Sequence, residues 1–221
     1  MLPAEVPAPH DNPTSKEKVA LGQRLFFDAR LSGKNDMSCA TCHQPQKAFT
    51  DGVALGKGYE GKILTRNTPS LLNAAFYKAL TWDGRAKSLE EQSLQPIIAP
   101  TEMNQDLTEL ERELNEDRSY AEQFQKVFGS RPNRQSVAQA LAAFERTLNT
   151  QPSPFDHRQR LPPRPRQLGR PPGAQTRRRT RLAHHLARPQ QAPPPAPRRH
   201  SHAPKLWVIL RAVALDYEGS V

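Results

Sequence analysis

The sequence lacks any apolar run of the roughly 20 residues that a helix needs to cross a lipid bilayer. A membrane-spanning protein is therefore excluded. The sequence also lacks a recognisable export signal, because Met1 leads directly into a polar, proline-rich stretch without a basic or an apolar region. Either a signal lies upstream of this start or the protein stays in the cytoplasm. The 221 residues suffice for one large domain or two small ones.

Acidic residues are nearly absent from the end of the chain. Residues 157–221 contain 14 Lys and Arg but only two Asp and Glu, whereas residues 1–156 contain 18 and 20. The formal charge of +10 therefore belongs to the tail. Residues 157–204 also lack aromatic residues, Ile and Val and contain 11 prolines, so they cannot bury enough apolar surface to fold. We predict a folded domain over residues 1–156 and a disordered Arg/Pro-rich tail over residues 157–221.

Two interpretations of the tail remain open. A basic arm of this kind can bind RNA. Its abrupt start and its excess of Arg, Pro, Ala and His favour the second interpretation, that it is a GC-rich gene segment translated out of frame. We therefore predict no nucleic-acid partner.

Helix signals dominate residues 1–156, and no alternation typical of strands is convincing. Capping residues and apolar periodicity predict helices over about 14–27, 68–80, 88–96, 107–115, 120–128 and 136–148, with a helical turn near Cys39–His43. Pro96 is expected to stop the third of these, and Gly129 to follow the C-terminus of the fifth. Residues 28–67 are predicted to be mostly loop. Such a long loop is reasonable in an all-α domain if a large rigid cofactor fills the space that side chains leave empty.

The two cysteines of the chain, Cys39 and Cys42, are followed directly by His43. Two thiols at this spacing on a helical turn can each form a thioether with a haem vinyl group, while the adjacent imidazole becomes the axial ligand of the iron. A zinc site would need two more soft ligands, and residues 1–156 offer only His10 besides His43. A redox dithiol would follow a strand in a βαβ unit, which is not predicted here. The motif predicts covalent haem attachment.

The residues around this motif resemble those of the bacterial di-haem cytochrome c peroxidase and MauG family. The resemblance rests on the segments Leu21–Asp28, Met37–Ser38, Arg66–Ser70, Trp82–Ala86, Pro100–Asn104 and Phe144–Leu148. It covers residues 8–156 and corresponds to the family's N-terminal, peroxide-reacting haem domain, which implies a cytochrome c-like fold. The second haem domain of the family has no counterpart in this sequence.

The resemblance implies three catalytic residues. Trp82 matches a tryptophan that relays electrons between the two haems, although core packing is an alternative role for it. Gln92 matches a glutamine that faces the peroxide pocket, and Glu102 matches a glutamate that acts as acid and base. Gln92 and Glu102 follow Trp82 by ten and twenty residues, as in the family.

The resemblance also bears on metal ligands. Asn67 matches a calcium-binding asparagine, but the family's other calcium ligands come from the absent domain. Some members of the family hold the iron with a second, loop histidine, whereas no histidine occurs here between His43 and His157. In the corresponding loop, residues 56–61, Lys57 and Tyr59 are expected to be solvated side chains. An iron open to peroxide without prior reductive activation is therefore expected. Both methionines near the motif, Met37 and Met103, are expected to pack.

The expected function is that of a periplasmic haem c peroxidase domain. It would reduce hydrogen peroxide to water with electrons from a small cytochrome c or a copper protein. The alternatives are a mono-haem electron carrier, for which no clear second axial ligand exists, and a truncated, inactive peroxidase fragment. The oligomeric state is not predicted.

Overall fold

The computed structural model describes residues 5–151, and the chain in that range is helical. The α-helices of this range are α1 (Lys16–Phe26), α2 (Cys39–Cys42), α3 (Leu89–Ile98), α4 (Leu107–Glu116), α5 (Arg118–Phe128) and α6 (Arg134–Glu145). Strands are absent from it, and only isolated bridges between single residue pairs join parts of the loops. The prediction of an all-α fold with long irregular loops is confirmed.

Local capping explains where the longer helices begin and end. A polar side chain at each N-terminus accepts hydrogen bonds from backbone N–H groups of the first turn, which would otherwise lack partners. These N-caps are Ser15, Ser88, Asp106, Asp117 and Asn133. Gly129 ends α5 in the left-handed conformation with φ of 69°, as its position predicts.

Helices α1 and α6 form the centre of the core, and α3 packs against α6 as well. A methyl group at Gly22 would lie 1.9 Å from the carbonyl oxygen of Ala140, so only glycine permits this close approach of α1 to α6. The rings of Phe26 and Phe144 meet in the same region, with their centroids 5.1 Å apart. These contacts make α1 and α6 the helical frame that supports the loops.

The predicted helix over residues 68–80 is wrong. This segment contains turns and a single 3₁₀ turn at Ala74–Phe76, preceded by Asn73 in the left-handed conformation. Thr68, expected to cap the helix, instead donates its hydroxyl to the buried carboxylate of Asp51, 2.9 Å away. A tertiary hydrogen bond has replaced the local one that the sequence pattern suggested.

The expected stop of α3 at Pro96 is also wrong, because the helix continues to Ile98. Proline removes the N–H that would bond to the carbonyl four residues earlier. Pro96 lies in the last turn of α3, where this loss is confined to the helix end. The helix then ends at Ala99, whose N–H bonds to Gln95.

Between residues 5 and 151, no helix combines the length and the apolar character that crossing a membrane requires. The predicted tail over residues 157–221 lies outside the described residues.

Candidate haem site

The short helix α2 carries both thiols. Cys39 and Cys42 lie at its two ends, are half-buried, and form no disulfide. The N–H of Ser38 donates to the hydroxyl of Thr41, and the N–H of His43 donates to the carbonyl of Cys39 at 2.9 Å. These bonds hold the two thiols and the imidazole on one compact turn.

The imidazole of His43 is oriented by a backbone hydrogen bond. Its Nδ1 lies 2.9 Å from the carbonyl oxygen of Phe49. Since a carbonyl can only accept, Nδ1 must carry the proton, and the lone pair of Nε2 is available to a metal. Burial lowers the pKa of His43, which favours the neutral ring that ligation requires. A metal-ligating histidine commonly has its second nitrogen held in this way.

The loop that supplies this carbonyl, residues 43–51, is called the His43 loop below. Ala48 and Phe49 both have positive φ, 56° and 58°, which is a strained conformation for residues with side chains. Ser70 donates its hydroxyl to the carbonyl of Ala48 at 2.6 Å. This hydrogen bond from a distant segment stabilises the turn that aims the Phe49 carbonyl at His43.

Asp51, at the end of the His43 loop, is a buried carboxylate with 8% exposure. Its Oδ2 accepts from the Thr68 hydroxyl and its Oδ1 accepts from the N–H of Val53 at 3.2 Å. A methyl group at Gly56 would lie 2.7 Å from Oδ2, so glycine is required beside this carboxylate. Thr68 and Ser70, which both follow the His43 loop in the chain, each hold it by one hydrogen bond.

The pKa values of the thiols argue against a redox dithiol. Burial raises the pKa of Cys39 to about 12, with a further contribution from Glu145. Burial also raises the pKa of Cys42, assisted by the carboxylates of Asp51 and Glu102. Reactive dithiol pairs instead have lowered thiol pKa values. The arrangement is that of two neutral thiols beside a neutral imidazole.

Apolar side chains in α2 and in other segments beside the core are only partly covered. Several of them pack against the core while remaining accessible on one side: Ala40, Phe49, Leu71, Leu72 and Leu94. Partly exposed apolar walls of this kind are suited to a flat, hydrophobic cofactor.

The residues present fit a c-type haem. Two free thiols lie one helical turn apart, and the imidazole that follows them has its Nδ1 proton engaged and its Nε2 lone pair available. Among the described residues, no group of three or more His, Cys, Asp and Glu could hold a metal ion by itself. The donor set thus suits haem better than zinc.

Glu102 lies near α2, in the turn that follows α3. Its carboxyl is half-buried, and burial raises its pKa, an effect that the Arg85 cation opposes. Its carboxylate in turn contributes to the raised pKa of Cys42, which shows that the two side chains share one electrostatic environment. The carbonyl of Glu102 accepts from the N–H of Tyr59 at 2.7 Å, fixing the turn against the loop of residues 56–61.

That loop passes close to the second thiol. The Sγ of Cys42 lies 3.6 Å from the carbonyl oxygen of Lys57, whose side chain is exposed as expected. The expectation for Tyr59 is wrong, because its side chain is buried with 8% exposure. The ammonium groups of Lys34 and Lys62 each lie 5.7 Å from its ring centroid, within the range of cation–π contacts.

Trp82 is 67% exposed, so it does not belong to the hydrophobic core. Its loop is tied to α3 by Arg85, which donates from Nη1 to Asp83 at 2.7 Å and from Nε to Gln95 at 2.9 Å. The same arginine contributes the positive charge that acts on Glu102. Arg85 therefore connects the Trp82 loop electrostatically with Glu102.

The structure says less about the role of the remaining predicted residues. Gln92 lies on α3 and is half-buried, without a hydrogen bond from its side chain to another described residue. Asn67 is exposed and donates its amide to the carbonyl of Val53 at 2.6 Å. Its proposed calcium role stays a prediction. Met103 is buried, as expected, and Met37 is half-buried.

Sequence reasoning missed two features of this site. The Phe49 carbonyl is a backbone group in a left-handed residue, so its role depends on conformation and leaves no residue-type signal. Asp51 could have been suspected from the Asp-Gly pair in a turn-rich segment, but its burial depends on Thr68, 17 residues later.

The profile of the family described as "Di-haem cytochrome c peroxidase" matches residues 16–161. The methylamine utilization protein MauG of Methylophilus methylotrophus is 45% identical over 155 residues, which cover 70% of this chain and 46% of that protein. The cytochrome c551 peroxidase of Pseudomonas aeruginosa is 37% identical over 158 residues, with the same coverage of 70% and 46%.

Solved structures show a corresponding similarity. A MauG-like protein associated with microbial copper homeostasis superimposes with a TM-score of 0.66 at 34% identity, covering 72% of this chain and 49% of that one. The chain thus spans slightly less than half the length of these relatives.

Proposed function

The chain belongs to the di-haem cytochrome c peroxidase family, and from this premise we propose that residues 1–156 are a haem c domain that reduces hydrogen peroxide. The reaction consumes one peroxide, two protons and two electrons and releases two waters. The observation that carries the proposal is the pair of free thiols on α2 followed directly by an imidazole whose Nδ1 is held by the Phe49 carbonyl. The electrons would come from a small cytochrome c or copper protein in the periplasm.

Three residues would hold the cofactor. Cys39 and Cys42 would each form a thioether, and Nε2 of His43 would bind the iron, with its ring held by the Phe49 carbonyl. When bound, the haem supplies the redox chemistry that cleaves the oxygen–oxygen bond. The chain's own contribution would be ligation and proton placement.

Glu102 would move the proton. Cleavage of peroxide requires that a proton leaves one oxygen and reaches the other, and a positioned base accelerates such a transfer by roughly 10²–10⁴-fold. Burial raises the pKa of Glu102 towards the working pH, so its carboxyl can accept and return a proton. Gln92 would orient the peroxide through its side-chain amide.

Trp82 would pass electrons to the site. Its 67% exposure leaves the ring available to a second redox centre or partner protein rather than to the core. Because no histidine occurs between His43 and His157, the loop of residues 56–61 offers no second imidazole for the iron. We therefore expect the ferric protein to react with peroxide without prior reduction.

The experiment compares the haem-loaded full chain with Glu102→Gln, which keeps the shape of the side chain but removes the proton acceptor. Stopped-flow absorbance at the Soret band should show at least a hundredfold slower reaction with peroxide in the variant. Glu122→Gln, on the exposed side of α5, is the matched control and should react like the wild type.

Equal rates in all three proteins would overturn the role of Glu102. A haem-loaded wild type that ignores peroxide but exchanges electrons with a small cytochrome would instead support the electron-carrier alternative. A chain that never binds haem would support the inactive-fragment alternative.

A further inference from the structure

We propose that Asp51 is a positioning residue of the haem site, whose buried carboxylate in the His43 loop lowers the reduction potential of the haem. The inference rests on the proposed haem attachment.

Asp51 lies in the same loop as the carbonyl group that holds the His43 ring. Nδ1 of His43 donates to the carbonyl of Phe49, and Asp51 follows Phe49 by two residues in the same loop. The carboxylate charge of Asp51 acts on both residues: it adds to the raised pKa of Cys42 and partly offsets the burial that lowers the pKa of His43. Asp51 therefore lies close enough to both residues to influence whatever they hold.

Hydrogen bonds hold the Asp51 carboxylate in a defined position. It accepts from two neutral donors, the Thr68 hydroxyl and the Val53 N–H, and Gly56 makes room for it. Within residues 5–151, no cationic side chain forms a salt bridge with it. The cation of Lys47 approaches only the main-chain carbonyl of Asp51, at 2.8 Å, and the Lys47 side chain is exposed.

A charge in this position has a predictable effect. Oxidation of the iron adds one positive charge to the site, and a negative charge nearby stabilises that state. Because Asp51 is buried, solvent screens its field less than that of an exposed carboxylate. This effect favours the ferric form, in which peroxide is expected to react.

The test is spectroelectrochemical titration of the haem-loaded full chain without peroxide. Asp51→Asn keeps the size of the side chain, and the Thr68 hydroxyl can accept from the new amide. We expect the one-electron equilibrium to shift about tenfold towards the reduced haem, or about 59 mV to a more positive potential. Asp36→Asn, an exposed position three residues before Cys39, is the matched control and should change the potential much less.

Lys47→Met gives a result of opposite sign that a purely structural role would not produce. It removes a cation beside Asp51 while keeping the carboxylate, so the potential should become more negative, by about a twofold shift of the equilibrium. If Asp51→Asn does not bind haem, the direction in which Lys47→Met changes the reduction potential tests the inference instead. Lys34→Met, a lysine exposed elsewhere, is its control.

A potential that is unchanged in Asp51→Asn, or changed equally in Asp36→Asn, would overturn the inference. An unchanged or more positive potential in Lys47→Met would do the same. These results leave the proposed function intact, since haem content and reaction with peroxide are measured separately. Loss of haem from the wild type would instead refute the proposed function.

Discussion

Helices α1 and α6 pack through apolar side chains, whereas the loops between residues 43 and 70 are positioned by hydrogen bonds between distant segments. The helical frame contains rings and aliphatic groups with almost no exposure, such as Leu25, Phe26 and Leu141. The site loops contain consecutive left-handed residues and a buried carboxylate. The frame is therefore stabilised by packing, while the site loops are specified by polar contacts that orient His43.

This difference explains why sequence patterns describe one region better than the other. Capping residues and periodicity located α1, α4, α5 and α6 to within a few residues, because caps and apolar faces are local properties. The segment after Thr68 carries a strong helix-start pattern, yet Asp51 takes its hydroxyl in a tertiary bond. Local signals cannot report a partner that folding brings from elsewhere in the chain.

The sequence predicts the candidate site only in part, as it does the fold. The motif of Cys39, Cys42 and His43 identifies its chemistry without a structure, because the spacing of thiols and imidazole is itself the signal. Glu102 came from resemblance to a family, since one glutamate two residues after a proline carries no signal of its own. The Phe49 carbonyl and Asp51 emerge only from the fold.

The largest effect on the frame is expected from Gly22→Ala. Helix propensity alone would make this change stabilising by about 1 kcal/mol. The new methyl group would instead collide with the Ala140 carbonyl, and we expect the free energy of unfolding to fall by about 3 kcal/mol. Urea unfolding of the haem-loaded chain measures this value. The reverse substitution at the exposed Ala20, Ala20→Gly, should cost about 1 kcal/mol, and a smaller loss for Gly22→Ala would contradict the close packing of α1 and α6.

A pH-dependent effect is expected from Glu145 at the end of α6. Burial raises its pKa from 4.5 to about 8, so the folded protein holds it neutral while the unfolded chain ionises it. Its contribution to stability is complete below about pH 4.5 and is lost as the pH rises towards 8. The free energy of unfolding should fall by up to about 1.4 kcal/mol per pH unit across this window.

Glu145→Gln should remove that slope, because glutamine does not titrate. The measurement is urea unfolding of both haem-loaded proteins at four pH values between 5 and 8. Parallel curves for the wild type and the variant would show that Glu145 is ionised in the folded protein.

The smallest effect on stability is expected in the loops, from Trp82→Phe. The ring is 67% exposed, so the free energy of unfolding should change by less than about 0.5 kcal/mol. Transfer of electrons from a reduced small cytochrome c should slow, because phenylalanine is harder to oxidise than tryptophan. A large loss of stability with unchanged electron transfer would assign Trp82 to packing rather than to function.

The most direct test of the account is whether residues 39–43 hold a covalent haem. The full chain should be produced with an export leader and the haem-attachment machinery, and its pyridine haemochrome spectrum and intact mass recorded. We predict one haem per chain with the spectrum of two thioether bonds, and none in the Cys39→Ala/Cys42→Ala variant. A colourless wild-type protein, or a haem that acidified solvent extracts from it, would contradict the account.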